Sequence, residues 1–230
     1  MRRIGLLGGM SWESTSVYYK RINEEVRRIR GGLISADLAM ISLNFDEVVQ
    51  LQKKGDWNSA ASMLSNAALN LQASGAQAII ICTNTMHKLF DEVQSSVSVP
   101  VLHIADTVGC AIQQKSFRRP LLLATRYTME QAFYRDRIAD AYGLDIFVPE
   151  KEDRDFVHDV IFDEICQGVL SETSRQGYID IIAKGIDAGA DSVIFGCTEI
   201  GLLVSQDEIT LPAFDSTILH ADAAVGFALN

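Results

Sequence analysis

GAQAIIICTN, residues 75–84, aligns without a gap with GADSVIFGCT, residues 189–198, at an offset of 114 residues. Each block starts at a glycine, runs through a short apolar segment (Ile79–Ile81, Val193–Phe195) and ends in small polar residues. Such a run, rich in β-branched and aromatic residues, predicts a buried strand. The alignment sets Thr83 opposite Cys197, and Cys82 opposite Gly196.

Other blocks repeat in the same order. RPLLLATRYTMEQAFYRDRI (119–138) matches RRIGLLGGMSWESTSVYYKRI (2–22) at an offset of 116, and PAFDSTI (212–218) matches PVLHIAD (100–106) at 112. Four matched blocks at nearly constant offset point to an internal duplication. Apolar runs at 3–8 and 36–43 read as strands. In 59–74, Met63, Ala67 and Leu71 share a face with Leu64 and Ala68 beside them, and Gly75 stops the helix. Tyr178, Ile182 and Ile186 predict the facing stripe of a second helix over 176–188. Strand, helix and strand in alternation imply parallel sheets covered by helices. The fold class is therefore α/β, with two pseudo-symmetric lobes, each a mainly parallel sheet flanked by helices. The expected division is 1–98 plus 216–230 for the N-terminal lobe and 99–215 for the C-terminal lobe, with the active site between them.

The 230 residues are 48% hydrophobic and 22% charged, with net charge −10. That balance excludes a broad basic surface for nucleic acid or anionic membrane. The clusters Arg27, Arg28, Arg30 and Arg118, Arg119 read as solvated surface. No apolar run nears the roughly 20 residues of a membrane span, and the chain reads as cytoplasmic. Cys82, Cys110, Cys166 and Cys197 are too scattered for a disulfide framework or a zinc site. GLLGG lacks the spacing of a dinucleotide fingerprint.

Ligands of parallel α/β sheets bind beyond the carboxyl ends of strands. Those ends are Gly8–Ser11, Cys82–Thr85, Ala124–Thr128 and Gly196–Glu199. Cys197 follows Gly196, which permits close approach of a ligand, and precedes an expected helix N-terminus that favours a thiolate. Successive strand side chains point to opposite faces, so Cys82 and Thr83 do not both face the site. Cys82 reads as structural, as do Cys110, expected on an apolar helix face, and Cys166. Asn84, Thr85 and Thr198 suit polar groups of a ligand or cap helices. Met10 follows two glycines that let a ligand approach. His87 fits either a catalytic imidazole or a structural polar residue.

GGMSWEST (8–15), TNTMH (83–87), ATRYTMEQ (124–131) and GCTEIG (196–201) resemble motifs of the aspartate/glutamate racemase family, and the resemblance spans essentially the whole chain. The wider superfamily includes glutamate and hydantoin racemases, arylmalonate decarboxylases and maleate isomerases. The resemblance implies an amino-acid racemase that works without pyridoxal phosphate or a metal, with substrate between two lobes. It also implies a homodimer. Relatives use one cysteine per lobe on opposite faces of the α-carbon. Here the first motif reads Thr83-Asn84-Thr85 instead of Cys-Asn-Thr, and the second keeps Cys197-Thr198.

A thiol ionises near pKa ~8.5 and an alcohol nearer water's ~15.7. At about 1.36 kcal/mol per unit, the alkoxide of Thr83 costs on the order of 10 kcal/mol more. Thr83 is a poor resting base, though it can return a proton directly or through water. The expected catalytic pair is thus Cys197 and Thr83. Met10, Gln52, Thr83, Asn84, Thr85, Thr125, Thr198 and Glu199 are the expected substrate contacts. Aspartate and glutamate head the expected substrates, although the cations of acid-specific relatives have no match at Asn44–Lys54 or Ile165–Gln167. Another isomerase or decarboxylase of the superfamily, or a catalytically weak amino-acid-binding protein, stays open as an alternative.

Overall fold

The apolar runs that begin the two halves become the strands β1 (Ile4–Gly8) and, later in the chain, β5, each with every residue buried. A computed structural model describes all residues, Met1–Asn230. After β1 come α1 (Trp12–Arg30), β2 (Leu38–Ser42), α2 (Phe45–Lys54), α3 (Trp57–Ala73), β3 (Ala78–Ile81), α4 (Phe90–Ser96) and β4 (Val101–Leu102). The second half contributes α5 (Ile104–Gln114), β5 (Pro120–Ala124), α6 (Arg126–Glu130), α7 (Ala132–Tyr142), α8 (Lys151–Asp163), α9 (Glu172–Asp187), β6 (Ser192–Gly196), α10 (Ile200–Leu203), β7 (Ala213–Asp215) and α11 (Ser216–Leu229). Short 3-10 turns cover Thr85–Leu89, Ile165–Gln167 and Gln206–Glu208.

The first sheet runs β2-β1-β3-β4 and the second β5-β6-β7, all pairs parallel. Leu7 lies between Ile41 and Ile81. In the second sheet Ala124 faces Gly196, so Thr125 and Cys197 leave neighbouring strand ends together. The sheets are not equal. Where the first half has β2, the second has a single parallel bridge between Leu121 and Phe147. Pro149, two residues on, has no N–H to extend such a ladder.

Two compact units result: Met1–His103 with His220–Asn230, and Ile104–Leu219. The divisions fall a few residues after the expected 98 and 215; β4 pairs with β3 and so stays in the first unit, and the second division lies within α11. Each unit takes its closing helix from the other half of the sequence. α5 follows β4 but belongs to the second unit, and α11 follows β7 but belongs to the first from His220 onward. The first unit's core has Leu7, Leu64, Leu71, Ile79 and Ile81 on one side of the sheet. Ile4, Leu6, Tyr18, Ile22, Ile80 and Val225 form a second cluster. The second unit holds one cluster around Leu122, Leu123, Val193 and Ile194.

Two helix readings change. Cys110 lies on α5 but is exposed; the buried positions are Ile104, Ala105, Val108, Gly109 and Ile112, and 110 falls outside that stripe. On α9 the buried face is Tyr178, Ile181, Ile182 and Gly185, leaving Ile186 40% exposed. Gly185 belongs to that face because a Cβ there would meet Leu121 Cδ2 at 2.6 Å.

Candidate active site

In the first unit, the end of β1 is folded against the end of β3. Gly9 has φ +84°, and a Cβ there would collide with the backbone of Leu43. A left-handed residue in so tight a place has to be glycine. Thr15 Oγ1 accepts from Gly9 N at 2.8 Å and donates to Ser11 O at 2.8 Å, while Ser14 Oγ donates to Cys82 O at 2.9 Å. Ser11 caps α1 by accepting from Ser14 N. Met10 is buried in the same apolar cluster as Val48, Leu64 and Met86. Gln52 on α2 is buried with its Nε2 donating to Met86 Sδ at 3.0 Å.

At the end of β3 the two neighbours divide as the strand pleat requires. Cys82 is fully buried, and burial pushes its thiol pKa far up. Thr83 keeps partial exposure. The Thr83 carbonyl meets His87 Nδ1 at 2.8 Å, and His87 N donates to Asn84 O at 3.0 Å. Asn84 and Thr85 are both buried. His87 is buried against His103, with ring centroids 4.7 Å apart, and against His220 at 5.5 Å. Desolvation, then the neighbouring His103, holds it well below the usual imidazole range. His87 thus orients the β3 turn as a neutral ring.

In the second unit, Thr125 starts α6 with φ −61° and ψ 155°, and its hydroxyl lies 3.3 Å from that of Thr128. At the end of β6, the Cys197 thiol donates to Glu199 Oε2 at 2.9 Å. The Thr198 hydroxyl donates to the same oxygen, and the Cys166 thiol lies 3.8 Å from Oε1. Glu199 is 3% exposed. Cys197 is partly exposed, yet the atoms packed around its sulfur raise the thiol pKa well above its ordinary value. Desolvation is the first cause, followed by the charge of Glu199. Two expectations are corrected here. α10 is only four residues long, and the carboxylate at its start outweighs any help its N-terminus gives a thiolate. Gly196 is fixed by packing within the sheet, since a Cβ there would sit 2.8 Å from Leu122 Cδ1 and 2.9 Å from Ala124 Cβ.

The structure brings Met10, Thr83, Asn84, Thr85 and Gln52 together in the first unit around the β1 and β3 ends. It brings Thr125, Cys197, Thr198 and Glu199 together in the second. Sequence reasoning missed Cys166 as a neighbour of Glu199. Only its place 31 residues before Cys197 was visible, and nothing in that spacing marks a contact.

Two parallel α/β units built from repeated halves of one chain are the fold of a racemase, an isomerase. The chain belongs to the Asp/Glu/Hydantoin racemase family, whose model matches residues 7–224. A structure from Yersinia pestis, provisionally described as an Asp/Glu racemase, is 47% identical over 100% of both chains, with TM-score 0.93. An aspartate racemase homologue from Pyrococcus horikoshii OT3 is 32% identical over 100% of both chains, with TM-score 0.85. A broad-specificity amino-acid racemase of Bacillus subtilis is 22% identical over 96% of each chain.

Proposed function

We propose that this protein interconverts L- and D-amino acids without a cofactor, aspartate and glutamate first. Cys197 exchanges the α-proton on one face and Thr83, or a water it holds, serves the other. The observation that carries the reading is the contrast at the repeated strand end. Cys197 presents a thiol bound to a carboxylate, whereas in the first unit the only cysteine, Cys82, is buried and Thr83 takes the accessible place. Met10, Gln52, Asn84, Thr85, Thr125, Thr198 and Glu199 belong to the same proposal as substrate contacts. So do the homodimer and the cytoplasmic location; no helix is long and apolar enough to cross a membrane.

With one thiol, the two directions differ in kcat and KM while their ratio keeps the equilibrium near unity. The test is solvent deuterium incorporation at the α-carbon of L- and D-aspartate and L- and D-glutamate. Cys197→Ser is expected to lower exchange at least a hundredfold, on the order of a lost general base. Exchange at the wild-type rate in that variant ends the proposal.

A further inference from the structure

Glu199 has a second role that its position makes available, and it rests on the racemase reading. A thiol kept protonated in the resting protein cannot remove an α-proton until its own proton has somewhere to go. The nearest acceptor is Glu199 Oε2, 2.9 Å from Cys197 Sγ. The same oxygen is held by the Thr198 hydroxyl, and the other oxygen faces the Cys166 thiol at 3.8 Å. Three donors therefore fix the carboxylate in one orientation beside the sulfur. Besides Cys166, the cluster holds Tyr178, whose hydroxyl is engaged with Val157 O at 3.0 Å. Glu164, beyond it, accepts from Ser174 Oγ at 2.6 Å. Neither has the contact that Glu199 makes with the sulfur.

We infer that Glu199 is the proton acceptor that converts Cys197 from its resting thiol to the working thiolate. In the first step the S–H bond of Cys197 breaks and an O–H bond forms on Glu199. The thiolate then takes the α-proton: the substrate C–H bond breaks, S–H forms again, and the electron pair stays on the substrate as an enolate. The opposite face receives a proton from Thr83 or its water. Glu199 then releases its proton to solvent water, and Thr83 or its water takes one back from solvent, so the cycle neither gains nor loses a proton. The repeat supports this division of labour. Thr85 stands where Glu199 stands, at the offset of 114 residues that sets Thr83 opposite Cys197. The first half thus lacks the acceptor along with the thiol.

Glu199→Gln separates this role from a structural one, because two readouts move in opposite directions. Removing the carboxylate charge makes the Cys197 thiol easier to ionise. The pH midpoint of its alkylation by iodoacetamide, followed on the Cys197 peptide by mass spectrometry, is expected to fall toward the ordinary ~8.5. Deuterium exchange into L-glutamate and L-aspartate is expected to fall on the order of a hundredfold in the same variant. Glu199→Asp, which keeps an acceptor, is expected to recover part of the exchange. A Glu199→Gln variant exchanging within about threefold of wild type overturns the inference, as does loss of exchange with an unmoved or raised alkylation midpoint. Wild-type protein that exchanges nothing overturns the racemase reading itself, which is a different failure.

Discussion

The first and second units keep the same scaffold interactions and differ in what fills them. Arg21 binds Asp222 through Nε and Nη2 at 2.7 Å each, and Arg137 binds Asp106 through the same atoms at the same distances. Both members of the two pairs are related by an offset of 116 residues. That shared clamp fixes how α1 meets α11 and how α7 meets α5. The ion pairs thus move the register of α5 against α11 from the 112 of the sequence block to 116, which sets Tyr18 opposite Tyr134 and His220 opposite Ile104. Tyr18 bonds His220 Nδ1 at 2.9 Å, and His220 Nε2 reaches Leu102 O at 2.9 Å. Tyr134, equally buried, has no protein partner for its hydroxyl, because an isoleucine occupies the matching place. A duplicated fold therefore preserves the contacts that dock its helices and lets the buried polar chemistry diverge. The strand ends follow the same rule: a thiol with a carboxylate in one unit, two threonines in the other.

The comparison breaks most visibly at position 83. Thr83→Cys gives the first unit a thiol, and the slower direction of racemisation is expected to accelerate about tenfold or more, measured as initial rates from each enantiomer. Cys82→Ala is expected to leave both rates within about twofold, with a modest stability loss from the small cavity. Inactivation by Cys82→Ala places the repeat out of register by one residue. The thiol chemistry would then belong to both halves.

Acid should sharpen the contrast. His87 and His220 in the first unit are held neutral, both chiefly by burial, His220 with its pKa lowered to about 3. Below the unfolded value of ~6.5 the unfolded chain binds protons that the folded chain refuses, so stability falls as pH falls. Stability is intact above about pH 6.5, then declines by up to about 1.4 kcal/mol per pH unit for each histidine. For His220 the decline continues until the folded chain also charges, near pH 3. His158 in the second unit is shifted the same way, by partial burial and by Arg126. Urea unfolding between pH 7 and pH 4.5, followed by amide hydrogen exchange, should show the first unit's protection falling more steeply. Equal loss in both units counts against this account.

The smallest effect concerns the two tyrosines. Tyr18→Phe leaves His220 Nδ1 without its donor and is expected to cost about 1–3 kcal/mol. Tyr134→Phe removes a hydroxyl that has no protein partner and is expected to change stability by less than about 0.5 kcal/mol or to raise it. Denaturant midpoints of the two variants decide it, and equal losses would mean that the Tyr134 hydroxyl is satisfied.

The strands, their parallel direction and the strand-end places of Thr83 and Cys197 were legible because they depend on local periodicity and on the repeat itself. Cys110 was misplaced because helix periodicity tells the width of a stripe poorly at its edges. Gly196 was read as room for a ligand when Leu122 and Ala124 of β5 demand it. The thiolate at Cys197 was expected from a helix start. A carboxylate two residues away reverses that expectation, and nothing in the spacing tells which way its side chain turns.

What the sequence determined by itself is the doubling, the parallel α/β class and the chemical inequality of the two strand ends, because each is carried by residues close together or by self-alignment. Tertiary structure alone decided that α5 and α11 exchange units. It alone set Cys166 and Cys197 on the two oxygens of Glu199, and joined Tyr18 to His220 across 202 residues of chain. Those facts depend on which side chains folding brings within hydrogen-bond distance, and burial then sets which protonation state each one can keep.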